Sequence, residues 1–204
     1  MSGRQTRHDM TNTIEAAKEY IKELFSGNAG GHDASYTMRV YQNALLIAKD
    51  ENPCNMEIVS LAALLHDADD HKLFHTENNS NARQFLASQK LDEELIEQII
   101  RAINSVSFSR NRGRKPETIE GMIVQDADRL DAIGAMGIAR TFAYGGEHGR
   151  SLESSVQHFH DKLLLLKEEM NTEAARKLAE DRHRFMEQFL LEYQKETDMN
   201  TQTR

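Results

Sequence analysis

The stretch LAALLHDADDHK, Leu61 to Lys72, decides how this chain reads. Val59 to Leu65 carry six apolar side chains and one serine, Ser60; the run then stops at His66-Asp67, with Asp69, Asp70 and His71 close behind. A segment apolar nearly all round is a central, buried helix in a soluble protein. Running such a helix into five ionisable residues needs a reason, because unpaired buried charge is expensive. A histidine at a helix C-terminus answers the helix dipole, which accounts for His66 but not for Asp67. A buried ion-pair network would serve both. A divalent cation also suits a histidine with carboxylates, and it compensates the acid's charge and the dipole's sign. Asp67 tips the balance towards metal.

At 204 residues the chain is long enough for one well-buried domain, 1–204, with a core of about 12–196 and a frayed tail at 197–204. Two prolines, no tryptophan and much Ala, Leu, Glu and Lys lean it towards helix. A net charge of -8 argues against polymeric nucleic acid or an anionic membrane as partner, since either would be repelled. A small anionic ligand held by local cations or a metal stays open. Cys54 is alone, which excludes a disulfide framework and a thiolate metal cage. MSGRQTRHDM has no signal-like apolar region, and Leu163 to Leu166 is far too short to cross a bilayer, so a cytoplasmic setting is expected.

Helical periodicity runs through almost every segment. Ile14, Ala17, Ile21, Leu24 and Phe25 form one stripe, with Asn12 and Glu15 resembling a capping box. Further helices are expected over 33–50, 80–89, 118–132, 133–144 and 172–196, with bends near Gly134 and Gly137, and one capped by Asp92 with Leu95, Ile96, Ile99, Ile100 and Ile103 in phase. YGGEHGR reads as a glycine-rich break, and SRNRGRKP as a basic loop. No alternating run supports a strand. The expected fold is an all-α single-domain helical bundle, whose long terminal helix could pair with a second copy.

A second acidic set lies in IVQDADRLDAIGAMGIARTFAYGG, Ile123 to Gly146. Asp126 falls in the stripe of Ile119, Met122, Ile123 and Leu130, while Asp128 and Asp131 lie on the other side, near Val124. Either side could be buried, so the helical wheel does not select a ligand. One of the three could instead cap a helix or pair with Arg129 or Arg140.

Together these stretches resemble the HD-domain superfamily of metal-dependent phosphohydrolases, whose pattern is a histidine, an adjacent His-Asp pair and a distant aspartate. ALLHDADDHK matches the His-Asp part, and QDADRLDAIGAMGIARTFAYGG is similar to one bacterial and archaeal branch. Segments like GHDASYTMRV, SFS and HFHDKLLLLKEEMNT belong to the same likeness, which covers Gly31 to Phe189. The resemblance implies an HD-type bundle with His66, Asp67 and Asp128 as metal ligands. Asp70 resembles the acid that activates water; helical spacing would put it beside His66, and its alternative is an N-cap. Lys72 would neutralise a phosphate or is a surface lysine. Arg129, Arg140 and Arg112 would bind substrate; the basic loop Arg110, Arg112, Arg114, Lys115 is either a solvated loop or a lid that draws a polyanionic substrate towards the metal. Arg39 and Arg140 are the better guesses as core-edge arginines pairing with aspartates.

The departure lies at the first ligand, where the family pattern has a histidine and this chain has Tyr36; Val106 replaces another histidine of the branch. His32, one turn earlier, remains beside the site, or swings in as ligand with Tyr36 serving the metal's water, or leaves a three-ligand site. The implied reaction is hydrolysis of a phosphoester or phosphoanhydride of a small phosphorylated substrate such as a nucleotide. Mn²⁺, Fe²⁺, Ni²⁺, Co²⁺ or Mg²⁺ would fit histidine and carboxylates. The rival reading is a degenerate domain that binds a nucleotide or protein without catalysis.

Overall fold

The computed structural model describes residues 2–27, 33–106, 111 and 114–202, and among them the chain is all-α, as expected. The helices are α1 (Ser2–Leu24), α2 (Ala34–Asp50), α3 (Met56–Leu65), α4 (Ser80–Ser88), α5 (Glu93–Val106), α6 (Ile119–Asp131), α7 (Gly134–Glu147), α8 (Leu152–Asp161) and α9 (Glu173–Gln202). A single 3-10 turn, Leu163–Leu165, precedes α9. By the density of its contacts the chain divides into two compact units, residues 1–128 and 129–204.

In the first unit α3 is the central element, packed against α1, α2 and α5. Every residue from Ile58 to Leu65 is buried, which is why this run is apolar on all sides rather than along one stripe. Its leucines, Leu61, Leu64 and Leu65, are fully shielded from solvent, and each such side chain contributes about 1.5–3 kcal/mol by leaving water. Asn55 starts the helix, its side-chain oxygen accepting from the amides of Glu57 and Ile58. The Asn55 amide in turn donates to Glu120 Oε1 at 2.8 Å, which ties the start of α3 to the start of α6. Burial of Glu57 pushes its carboxyl above the usual carboxylate range. Along α5 the buried set Ile96, Ile99, Ile100 and Ile103 keeps the helical phase read from sequence.

In the second unit α7 packs on α8 and α9. Phe142, Phe159 and Phe189 meet there, with ring centroids 5.8–6.1 Å apart. Gly134 separates α6 from α7 with φ +74°, a left-handed conformation that costs a side chain more than it costs glycine. Arg182, on α9, donates to the Leu130 carbonyl in the last turn of α6.

Three boundaries differ from the sequence reading. Helix α1 is already under way at Asn12, so Asn12 and Glu15 are mid-helix and form no capping box. YGGEHGR is mostly helical: α7 continues through Gly145 and Gly146 to Glu147, and the left-handed residue is Gly149, at φ +64°. Gly145 is there because a Cβ would come 2.5 Å from Ser155 Oγ on α8. The terminal helix runs to Gln202 rather than stopping at 196, with no glycine or proline among residues 197–202 to end it.

These contacts give glycines of α7 opposite fates. At Gly137 a Cβ would lie 2.2 Å from the Ala132 carbonyl oxygen, whereas at Gly146 it would meet nothing within 4 Å. Gly137→Ala should cost about 1–3 kcal/mol or more through that collision. Gly146→Ala should be neutral or gain up to about 1 kcal/mol from helix propensity. Thermal denaturation followed by circular dichroism measures both.

Candidate functional site

Helix α3 stops at Leu65, and His66 follows it still in right-handed geometry, φ -59° and ψ -31°. The imidazole Nδ1 lies 2.8 Å from the Ala63 carbonyl oxygen. A carbonyl can only accept, so Nδ1 carries the proton and the ring's other nitrogen is turned inward. That Nε2 lies 3.5 Å from Asp67 Oδ1 and 3.3 Å from the Tyr36 hydroxyl. The Tyr36 hydroxyl also donates to Asp128 Oδ1. Two helices and the end of a third, far apart in sequence, therefore bring His66, Asp67, Tyr36 and Asp128 together within the first unit. The His66 side chain is 2 % exposed and that of Asp67 16 %.

Each member is held by an identifiable local device. Asp33 caps α2, its carboxylate accepting from the Tyr36 amide at 2.7 Å, which fixes the turn that carries the phenol. The phenol ring stands edge-on to the imidazole, centroids 5.6 Å apart and planes at 63°. Asn43 of α2 donates from Nδ2 to the Ala127 carbonyl, 3.2 Å away, and so ties α2 to α6 one residue before Asp128. Gln125 donates to the Ser105 carbonyl at 2.7 Å, fastening α6 to the end of α5.

Beyond His66 the chain turns instead of continuing as helix, with Ala68 N donating to Leu65 O and Asp70 N to Asp67 O. Asp70 therefore follows a turn and not a continuation of α3. Its carboxylate, 11 % exposed, accepts from the Lys72 amide at 2.9 Å and approaches His71 Nδ1 at 3.5 Å. Asp69 accepts from the amides of Asn81 and Ala82 at 2.9 and 3.0 Å, supplying an acid to the start of α4, where Asn79 makes no side-chain cap. Asn81 Nδ2 returns a bond to the Ala68 carbonyl at 2.8 Å. The turn that carries His66 and Asp67 is thus bolted to α4.

The three acids of α6 separate cleanly. Asp128 joins the cluster, Asp126 is fully buried, and Asp131 pairs with Arg140 at 2.6 Å in the second unit. Arg140 is therefore a core-edge arginine. Arg129 donates to the Glu169 carbonyl and lies 3.5 Å from that residue's carboxylate. Two of the three arginines proposed for substrate, Arg129 and Arg140, are thus engaged in structural contacts. Lys72 is exposed, as are Arg114 and Lys115 of the basic loop. His32 and Arg112 lie outside the described residues. Asp33, Asn43 and Asp69 escaped the sequence reading as supports of the site; only Asp33, at a helix start, carried a local signal.

The donor chemistry of this cluster fits a divalent cation: one imidazole with its Nδ1 proton already assigned, two carboxylates and a phenol. Among the described residues no three His, Cys, Asp or Glu side chains are already grouped around one point for an ion. The hydroxyl of Tyr36 lies between the imidazole and the distant carboxylate.

An HD-domain model matches residues 36–133, which holds every described member of the cluster. YpgQ, an uncharacterized protein of Bacillus subtilis, is 40 % identical over 191 residues, spanning 89 % of this chain and 92 % of its own. A crystal structure of that protein in complex with ADP superposes with a TM-score of 0.79 over 92 % of this chain and 96 % of its own, at 34 % identity. An HD-superfamily hydrolase from Bacillus thuringiensis gives 0.80 over 93 % and 98 %, at 38 % identity.

If Asp69 holds the turn to α4, Asp69→Ala should lower stability by about 1–2 kcal/mol, the usual cost of a lost helix cap. Urea denaturation measures the loss, and an unchanged midpoint would contradict this role.

Proposed function

Because this chain belongs to the HD-domain superfamily, we propose that it is a metal-dependent phosphohydrolase acting on a nucleotide or a similarly small phosphoester or phosphoanhydride. The observation that carries the reading is the meeting of His66 and Asp67 with Asp128 through the Tyr36 hydroxyl. A divalent cation would compensate the two half-buried carboxylates that meet the imidazole there. The ADP held by the Bacillus subtilis relative supports a nucleotide as the substrate class. A local cation site also reconciles a phosphorylated substrate with a chain of net charge -8.

His66, Asp67 and Asp128 would hold the ion, which Mn²⁺, Fe²⁺, Ni²⁺, Co²⁺ or Mg²⁺ could supply. When bound, such an ion contributes Lewis acidity, making water a better nucleophile and shielding phosphate oxygens from repulsion. The chain's own residues do the rest. Nδ1 of His66, pinned to Ala63, keeps the imidazole edge aimed into the site. Asp70, next to the cluster in sequence and mostly buried, would take or direct the water's proton. Lys72 would pair its exposed ammonium with a phosphate oxygen.

A second reading, a domain that binds nucleotide without cleaving it, is favoured by Tyr36 standing at the pattern's first histidine. Phosphate and pyrophosphate release from nucleoside di- and triphosphates with Mn²⁺ separates the two. On the hydrolase reading His66→Ala and Asp67→Ala each lower kcat/KM by at least about 100-fold, beyond what loss of a mere supporting partner costs. Saturable ADP binding with no release in any metal would favour the second reading. Turnover that survives both substitutions would refute the first. Lys72→Ala should chiefly raise KM for the phosphorylated substrate.

A further inference from the structure

We propose that the Tyr36 phenol oxygen is itself a donor to the cation, taking the coordination position at which the pattern has a histidine. The proposal rests on the metal-site reading above and specifies one of its ligands. Tyr36 is 3 % exposed, so its hydroxyl is not a surface group that happens to lie nearby. It touches two ligand side chains at once, Asp128 through a hydrogen bond and His66 Nε2 at 3.3 Å. Neighbouring donors on a six-coordinate cation with bonds of about 2.1 Å sit roughly 3 Å apart. The edges from Nε2 to Tyr36 and to Asp67, 3.3 and 3.5 Å, are slightly expanded versions of that spacing. A small inward movement around an ion would bring all three into one coordination shell. The Asp33 cap on the Tyr36 amide and the edge-on contact with the imidazole hold the phenol in this register.

The consequence is chemical. With His66, Asp67, Asp128 and Tyr36 the described donors become one nitrogen and three oxygens. Oxygen-rich sets suit harder cations, so Mn²⁺, Mg²⁺ and iron are favoured here relative to Ni²⁺ and Co²⁺. Tyr36 would thus set metal preference as well as complete the shell.

A phenolate bound to ferric iron gives a visible charge-transfer band that no imidazole, carboxylate or water ligand gives, so the test does not depend on activity. The full-length protein, stripped by chelation, is loaded with ferrous iron and oxidised in air. The expected result is a visible band whose resonance Raman spectrum shows tyrosinate ring modes, a readout that needs no variant. Tyr36→Phe, which keeps the ring in its buried place, should abolish the band and weaken Mn²⁺ binding by at least about tenfold, as loss of a direct donor should cost no less than loss of a supporting one. Tyr36→His should bind iron without the band and gain Ni²⁺ affinity relative to Mn²⁺. Bound iron without the band, a band that persists in Tyr36→Phe, or unchanged Mn²⁺ affinity in that variant would overturn the proposal while leaving the metal site standing. Failure of the wild-type protein to bind either Mn²⁺ or iron would overturn both.

Discussion

The structure turns on what happens at the C-terminal end of α3. That helix is buried along nearly its whole length, and it delivers an imidazole and a carboxylate into the interior at the end whose dipole is negative. Asp128 adds another acid through Tyr36. A divalent ion joining these groups would answer both the carboxylates and the negative end of the helix dipole. Much of the surrounding architecture serves to keep these groups facing one another. Asp33 sets the first turn of α2, Asn43 links α2 to α6, and Asp69 ties the turn after α3 to α4. Burial of α3 thus carries His66 to the place where the Tyr36 hydroxyl and Asp128 meet it.

That architecture was readable from sequence where a strong pattern dictated it. An apolar run without a polar face could only be a central helix, and its abrupt end at His66-Asp67 marked the site. The in-phase isoleucines of α5 likewise gave their helix unambiguously. Which acid of α6 takes part was not legible from periodicity, because Asp126, Asp128 and Asp131 all lie in a helix with buried residues on more than one side. Family resemblance selected Asp128, and the Tyr36 hydroxyl meets it.

What stayed hidden depended on tertiary contacts or on a helix ending one turn early. Asp70 follows a turn rather than a further turn of α3, and its carboxylate accepts from the Lys72 amide. Asp69 looked like one more acid in a polar loop, yet it provides the acceptors for α4 from outside that helix. YGGEHGR carried glycines that ordinarily signal a break, but Gly145 is required by the close approach of Ser155 and the helix passes through it. Arg140 shows the opposite case: a cation near acids in sequence turned out to be a structural partner of Asp131, as its position at the core edge suggested.

Anomalous diffraction from crystals soaked in Mn²⁺ tests the central claim most directly, since it locates the ion without reference to any substrate. The account predicts a single strong peak within bonding distance of His66 Nε2 and of carboxylate oxygens from both Asp67 and Asp128. A fully soaked crystal with no peak there, or with manganese bound only at surface acids elsewhere, would contradict it.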